Sequence, residues 1–264
     1  MKIGFIGCGN MGGALARAVI KSGVGDVYVS DYNAEKAQAF AVENGACASD
    51  NLTIASECDV IFLAVKPNVY SSVLEPLADA LRARESVLIV SMAAGISLDK
   101  VGMMVGDSLP IIRIMPNTPC AIGEGMILWC ASKSVSEEQK EIFRASLCAA
   151  GKLDMIDERL IDAASAVSGC GPAFVYMFVE ALCDGAVECG LPRDKAMLYA
   201  ARTLIGAAEM VQQSGKHPEQ LKDEVCSPGG STIEGVRALE EGAFRATCAS
   251  AVIEAYKKTK ILGK

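Results

Sequence analysis

The chain has 264 residues, which is enough for one large domain or two modest ones. Hydrophobic residues make up 51% of it and aromatic residues only 5%, a composition that favours a packed globular fold over disorder. The formal net charge of −7, without a long basic run, argues against a nucleic-acid partner.

Strand and helix patterns alternate over the first part of the chain. Apolar runs predict strands at residues 2–7, 27–30, 46–48, 60–65, 86–91, 110–115, 127–130 and 153–156. Helical patterns lie between several of them, at residues 11–19, 33–43, 68–80 and 136–149. Strands that are apolar throughout and alternate with helices predict right-handed βαβ units in a parallel, doubly wound, Rossmann-like sheet.

After about residue 157 the strand patterns stop and only helical patterns follow. They cover residues 172–189, 192–213, 217–224, 231–241 and 244–261. The sequence therefore predicts an α/β domain over residues 1–157 and an all-helical domain over residues 158–264.

The cysteines and the start of the chain indicate the compartment. None of the eleven cysteines has C-x-x-C spacing, and several sit singly in apolar stretches, as free thiols do. The N-terminus enters strand and turn directly, without a secretory pattern, so we expect a cytoplasmic protein. The apolar segment 172–189 carries Glu180, Asp184 and Glu188, which argues against a membrane span.

Only one histidine is present, His217, in a polar stretch. This argues against histidine-based triads and metal sites, and no metal is expected. Chemistry in this chain would depend on a cofactor, hydroxyls, backbone amides or lysine.

The first strand is followed by a G-x-G-x-x-G motif formed by Gly7, Gly9 and Gly12. In this context the glycines allow a tight turn, close approach to a pyrophosphate and close helix–strand packing. Asn10 and Met11 lie between them, at a helix N-terminus that favours anions. We expect residues 7–12 to bind a dinucleotide; a small-residue turn is the alternative.

Asp31 lies directly at the end of the second predicted strand, after residue 30, where an acidic side chain can bind the ribose 2′-hydroxyl of NAD. Tyr32 and Asn33 follow it, and the nearest basic residue is Lys36, so the residues favour NADH slightly over NADPH. The alternative is that Asp31 only caps the helix that starts near Asn33.

Three further loops leave the carboxyl ends of predicted strands, where ligands bind in open α/β sheets. Their small residues and prolines are compatible with walls of a nicotinamide ribose pocket and equally with ordinary turns. The candidate contacts are Val65, Lys66, Pro67, Ala93, Ala94, Gly95, Pro116 and Asn117.

Residues 226–232, CSPGGST, lie directly before a predicted helix. One interpretation is a turn with a capping box between Ser231 and Glu234. The other is an anion pocket, in which two glycines expose N–H groups at a helix N-terminus. The two are compatible if Ser231 caps the helix and Thr232 faces a ligand.

Taken together, seven stretches resemble the pyrroline-5-carboxylate reductase family and span nearly the whole chain. They are IGFIGCGNMG, LAVKPNV, VSMAAGIS, RIMPNTP, AVSGCGPAF, GLP and CSPGGSTIEG. The sequence departs from the family pattern at Cys170, where a serine is usual, and after the second strand, where an arginine is common.

This resemblance implies hydride transfer from NADPH or NADH to the C=N bond of L-1-pyrroline-5-carboxylate, giving L-proline. It also implies that the loop holds the substrate carboxylate and that Thr232 contacts the ring nitrogen, with Ser231 and Thr232 as catalytic residues. The substrate-binding residues implied are Ser227, Gly229, Gly230, Ser231 and Thr232.

The resemblance further implies a homodimer or larger homo-oligomer whose helical domains interlock. Two alternatives stay open: another imine or keto-acid reductase on the same two-domain plan, and a non-catalytic NAD(P)-sensing protein.

Overall fold

In the computed structural model the described residues are 1–84, 86–106 and 108–262. Internal contacts group them into two units. One contains Met1–Cys170 and the chain from Ala255 onward, and the other contains Gly171–Glu254. These units are defined by contacts within the chain and do not test the predicted domain boundary. The boundary after residue 157 therefore stays a prediction.

The first unit is built on an eight-stranded sheet in the order β3-β2-β1-β4-β5-β6-β7-β8. Its strands are β1 Lys2–Ile6, β2 Asp26–Ser30, β3 Cys47–Ala48, β4 Val60–Leu63, β5 Leu88–Ser91, β6 Ile111–Met115, β7 Gly125–Ala131 and β8 Gly151–Met155. All eight predicted strands are present in the described part of the chain.

Helices connect and follow these strands. They are α1 Asn10–Ser22, α2 Ala34–Asn44, α3 Asn51–Glu57, α4 Tyr70–Leu74, α5 Ala78–Arg82, α6 Leu98–Val105, α7 Glu137–Leu147, α8 Glu158–Ser168, α9 Gly171–Glu188, α10 Arg193–Ser214, α11 Pro218–Val225, α12 Ser231–Glu241 and α13 Phe244–Leu262. The sequence patterns did not predict α3, α6 or α8.

The single helix predicted over residues 68–80 is wrong. Two short helices, α4 and α5, occupy this region, with 3₁₀ turns at Pro67–Val69 and Glu75–Leu77. Pro76 lies in the second turn and lacks the N–H group that a continuous helix would use.

The doubly wound sheet is confirmed, but it is mostly rather than entirely parallel. β7 pairs antiparallel with β6, whereas β8 pairs parallel with β7. The link between β6 and β7 covers only residues 116–124, and a parallel crossover needs about a dozen residues or more. The short link therefore makes β7 run antiparallel to β6, and β8 runs in the same direction as β7.

Both faces of the sheet are covered. In β4, Val60 and Phe62 belong to the apolar cluster on one face, and Ile61 and Leu63 to the cluster on the other. This alternation follows from the two-residue period of a strand. Burial on both faces explains why the strand sequences are apolar throughout.

A buried charge cluster ties the sheet to α8. Arg113 in β6 is 3% exposed, and its guanidinium lies 2.6 Å from Asp162 Oδ1 and 3.3 Å from Glu158 Oε1. Lys260 Nζ in α13 lies 3.5 Å from Asp162 Oδ2. Glu158 Oε1 also accepts a hydrogen bond from the backbone N–H of Leu98 at 2.7 Å. The sequence did not predict this cluster, because its four side chains come from three segments that lie far apart in the chain.

The second unit buries few side chains of its own. Cys183 in α9 and Ala196 and Ala200 in α10 are buried where these two helices pack. Large apolar side chains elsewhere in the unit are exposed, among them Tyr176, Met177, Met197, Leu198, Tyr199, Ile205 and Met210. By length and composition alone, the helical stretch Glu158–Glu188 could also cross a membrane.

Candidate functional site

The first glycine of the motif has a conformation that only glycine adopts easily. Gly7 has φ +103°, and a Cβ there would lie 2.6 Å from the carbonyl oxygen of Ala64. Its N–H donates to the carbonyl of Ser30 at 2.8 Å. The turn after β1 is therefore packed between the ends of β2 and β4, its neighbours in the sheet.

The other two glycines differ in their surroundings. A Cβ on Gly12 would lie 2.2 Å from the carbonyl oxygen of Gly7, so α1 packs directly on the turn. A Cβ on Gly9 would meet nothing nearer than Lys36 Nζ at 4.0 Å. Gly9 also provides no side-chain cap, so the first N–H groups of α1, at Asn10, Met11 and Gly12, can face a ligand. These features fit the pyrophosphate of a dinucleotide.

Asp31 holds the glycine-rich turn through hydrogen bonds. Its Oδ2 accepts from the backbone N–H of Cys8 at 3.0 Å and lies 3.5 Å from Lys36 Nζ, and its Oδ1 accepts from the N–H of Asn33 at 3.2 Å. Burial alone would raise the pKa of Asp31, but the backbone bonds from Asn33 and Cys8, with Lys36 nearby, bring it below the usual value. The carboxylate is thus ionised at neutral pH.

The cap of α2 is Asn33, whose side chain accepts from the N–H of Lys36 at 3.1 Å. The alternative in which Asp31 caps this helix is therefore wrong. A contact between Asp31 and a ribose hydroxyl stays a prediction.

Next to Asp31 lies a cavity of about 720 Å³. Its walls come from the ends of β2 and β3, from α2 and the start of α3, and from the segment that contains α4. Asn51, at the start of α3, is part of the lining, and its Oδ1 accepts from Ser30 Oγ at 2.6 Å. Asn51 was missed, although it follows a predicted strand at the ligand-binding edge of the sheet. The other lining residues not predicted include Ser49, Asp50, Ser72, Val73, Pro76 and Leu77.

The structure brings the other predicted loops to the same sheet edge. Val65, Lys66 and Pro67 follow β4, and Ala93, Ala94 and Gly95 follow the adjacent parallel strand β5. Gly95 has φ +76°, as a tight turn requires. Lys66 is exposed, whereas Ala93 is buried.

A buried phenol links the bases of these two loops. The Tyr70 hydroxyl donates to the carbonyl of Leu63 at 3.0 Å and lies 3.0 Å from Ser91 Oγ. Burial raises the pKa of Tyr70 to about 12, while Ser91 and the backbone N–H groups of Met92 and Ala93 act in the opposite direction. Tyr70 is therefore a neutral hydrogen-bonding group at physiological pH.

Pro116 and Asn117 follow β6, and both are buried. The Asn117 amide is occupied inside the protein: Nδ2 donates to the Ser168 carbonyl at 2.9 Å, and Oδ1 accepts from the N–H of Met126 at 2.9 Å. Asn117 thus anchors the loop, and its contact with a cofactor stays a prediction.

In the second unit, residues 226–230 form a turn before α12, and residues 227–229 of this turn are exposed. Gly229 has φ +67°, and the N–H of Gly230 donates to the carbonyl of Ser227 at 3.0 Å. A Cβ on Gly230 would lie 2.3 Å from Ser227 Oγ. The positive φ of Gly229 favours glycine in this turn, whereas a side chain at Gly230 would only displace the Ser227 hydroxyl.

The predicted capping box between Ser231 and Glu234 is wrong. Gly230 is the N-cap, Ser231 is already the first helical residue, and Glu234 instead pairs with Arg237 at 2.9 Å. In the described part of the chain, the hydroxyls of Ser231 and Thr232 have no hydrogen-bond partner. The N-terminus of α12 therefore presents uncapped N–H groups and two available hydroxyls, as an anion site requires.

His217 has a structural role in the described chain. It is exposed, and its Nδ1 accepts from the N–H of Glu219 at 3.3 Å as the cap of α11. Among the described residues no group of three or more His, Cys, Asp or Glu side chains is arranged to hold a metal ion.

Two family models match the chain. The model described as pyrroline-5-carboxylate reductase dimerisation matches residues 158–262, and the model described as NADP oxidoreductase coenzyme F420-dependent matches residues 2–95.

Full-length relatives are similar to the whole chain. Pyrroline-5-carboxylate reductase of Escherichia coli is 40% identical, covering 100% of this chain and 98% of the relative. The enzyme of Glycine max is 39% identical over 98% of this chain and 95% of the relative. A crystal structure of Plasmodium falciparum pyrroline carboxylate reductase with NADP bound has a TM-score of 0.89 at 35% identity, covering 100% of this chain and 98% of that one.

Proposed function

This chain belongs to the pyrroline-5-carboxylate reductase family, and on that premise we propose that it reduces the C=N bond of L-1-pyrroline-5-carboxylate with NAD(P)H. The product is L-proline, and the reaction is the last step of proline biosynthesis. Identity of 40% over the full length, through both the glycine-rich turn and the 226–232 turn, is the observation that carries this assignment.

The chain's own geometry fits a dinucleotide at residues 7–12. Gly7 and Gly12 are packed where any Cβ would collide with backbone, while the space above Gly9 is open. We assign the pyrophosphate to the first N–H groups of α1, at Asn10, Met11 and Gly12. The reduced nicotinamide, when bound, supplies the hydride.

The adenosine end is assigned to the cavity beside Asp31. Asp31 offers an acceptor for a ribose hydroxyl, and Lys36 is the cation nearest to it. The acid suits the 2′-hydroxyl of NADH, and the base suits the 2′-phosphate of NADPH, so the pair supports use of either cofactor. The preference would depend on whether a 2′-phosphate can bind Lys36 despite the negative charge of Asp31. The loops 65–67 and 93–95, with Pro116 and Asn117, are assigned to the nicotinamide end.

The substrate is assigned to the N-terminus of α12. The uncapped N–H groups and the turn formed by Ser227, Gly229 and Gly230 would hold the carboxylate, and Ser231 would add a hydroxyl. Thr232 would accept a hydrogen bond from the protonated ring nitrogen and so stabilise the protonated imine. Protonation of the nitrogen makes the imine carbon more electrophilic. Most of the catalysis would come from positioning, since the described residues offer no histidine base here.

A homo-oligomer formed through residues 158–262 would cover the exposed apolar helices of the second unit. The match of a dimerisation model to these residues supports this interface and a domain boundary near residue 157. Such an interface also accounts for the apolar stretch 158–188 without a membrane. Eleven free cysteines, without a disulfide among the described residues, support a cytoplasmic location.

The decisive test is imine-dependent oxidation of NADPH and NADH, measured side by side on purified protein. Pyrroline-5-carboxylate is compared with its six-membered analogue piperideine-6-carboxylate and with short 2-keto acids. Preference for the five-membered imine is expected. Preference for another substrate would indicate a different reductase of the same plan, and cofactor binding without turnover would indicate a sensor.

A further inference from the structure

Tyr70 begins α4, yet its hydroxyl reaches the ends of two neighbouring strands. Leu63 is the last residue of β4 and Ser91 the last of β5, and the two are register partners in the parallel ladder. The Tyr70 hydroxyl lies 3.0 Å from the carbonyl oxygen of Leu63 and 3.0 Å from Ser91 Oγ. It therefore links the two strands at the point where the backbone ladder between them stops.

Both loops proposed to line the nicotinamide end leave from this point. The segment 65–67 begins two residues after Leu63, and the segment 93–95 begins two residues after Ser91. Beyond the last ladder pair, no strand pairing holds the loops at a fixed spacing. Tyr70 is 1% exposed and Ser91 is fully buried, so their hydroxyls are shielded from water that could replace the bond.

We propose that Tyr70 is a positioning residue for the nicotinamide end of the cofactor. Acting with Ser91, its hydroxyl sets the spacing between the 65–67 and 93–95 loops and so organises them before the cofactor binds. This inference rests on the proposed function, because it takes these loops as cofactor contacts. The ring of Tyr70 fills space in the core, whereas the hydroxyl orders the loops.

The test distinguishes binding of the nicotinamide half of the cofactor from binding of the adenosine half. Tyr70→Phe keeps the ring and removes the hydroxyl, and Kd is measured for NADPH and for 2′,5′-ADP, which lacks the nicotinamide half. Loss of the two buried hydrogen bonds of this hydroxyl predicts NADPH binding weaker by about fivefold to tenfold, with 2′,5′-ADP binding unchanged. Equal weakening of both ligands, or a lower Tm with NADPH binding unchanged, would overturn the proposal.

Ser91→Ala and the double variant extend the test. Since the Ser91 hydroxyl acts through its contact with the Tyr70 hydroxyl, the double variant should weaken NADPH binding by no more than the larger single effect. Full additivity would contradict the proposal. Tyr28→Phe, the same chemical change on β2, is the matched control and should leave the NADPH affinity unchanged.

Failure of the inference is distinguishable from failure of the proposed function. If the wild type binds NADPH but does not oxidise it with the imine, the proposed reaction is wrong while the Kd comparison still decides the role of Tyr70. If the wild type binds neither NADPH nor NADH, both are overturned. If NADH is the better ligand, NADH and ADP take the places of NADPH and 2′,5′-ADP.

Discussion

The carboxylate of Asp31 accepts a hydrogen bond from the backbone N–H of Cys8, 3.0 Å away, inside the glycine-rich turn. The end of β2 is thereby tied to the turn after β1. Asp31 thus stabilises the turn whether or not it also contacts a ribose.

Asp31→Ala should therefore weaken the binding of both cofactors, and it should weaken NADH binding more than NADPH binding. Loss of the Cys8 bond loosens the turn for either ligand, and loss of the carboxylate removes a ribose acceptor that matters most for NADH. Removal of the negative charge beside Lys36 also favours a 2′-phosphate. Titration of each cofactor measures both effects, with Asp26→Ala, an exposed acid on the same strand, as the control. Equal weakening of the two cofactors would limit Asp31 to supporting the turn.

Gly12→Ala should lower the stability of the protein, whereas Gly9→Ala should lower its affinity for the cofactor. The Gly12 methyl would collide with the Gly7 carbonyl, so we expect a loss of stability of about 1–3 kcal/mol. The Gly9 methyl enters open space near Lys36, so stability should be unchanged while cofactor affinity falls. Denaturant unfolding and cofactor titration on both variants check this. Normal cofactor binding by Gly9→Ala would place the pyrophosphate elsewhere.

The thiol of Cys8 should resist alkylation at pH 8. Burial and the negative charge of Asp31 raise its pKa to about 11, so the reactive thiolate is scarce until the pH approaches that value. Asp31→Asn removes the charge and should speed modification of Cys8. Cys58 also has a pKa of about 11, mainly from burial, and should not respond to that change. Mass spectrometry after iodoacetamide treatment measures both thiols, with exposed Cys47 as the reactive reference. Rapid labelling of Cys8 in the wild type would contradict this account.

Arg113→Met should destabilise the protein by about 3–5 kcal/mol, because it leaves Glu158 and Asp162 without their main buried cation. Chemical unfolding at fixed protein concentration measures the change. Arg159→Met removes an arginine from an exposed pair with Asp157 and should unfold like the wild type. Similar behaviour of the two variants would mean that the Arg113 cluster contributes no more than a surface pair.

Thr232→Ala should lower kcat/KM for the imine. The expected loss of transition-state stabilisation is about 1.5–3 kcal/mol, the range for a hydrogen bond to a charged group. Cofactor affinity should be unchanged, because the hydroxyl is assigned to the substrate. Thr232→Ser keeps the hydroxyl and should retain most of the activity. Wild-type kinetics in the alanine variant would remove Thr232 from the mechanism.

Sequence patterns predicted the strands well because their apolar runs are continuous and bounded by turn residues. The glycine-rich turn was equally predictable, since its glycines at positions 7 and 12 meet the steric demands that the motif implies. The helices α3 and α6 were missed because they are short, with seven and eight residues, whereas α8 has 11 residues and an apolar face that could have predicted it. The capping box failed because its residue spacing fits Ser231 both as a cap and as the first helical residue, and only the backbone angles separate the two.

The sequence by itself determined the class of fold, the glycine-rich turn and the resemblance to the family, because these depend on local periodicity and on residues adjacent in the chain. The tertiary structure decided the direction of β7 and β8, the Arg113 cluster and the contact of Tyr70 with Leu63 and Ser91. These features join segments far apart in sequence, and such contacts become visible only when the sheet brings the segments together. For Asp31 the sequence supplied a candidate ribose acceptor, and the fold added its bond to Cys8.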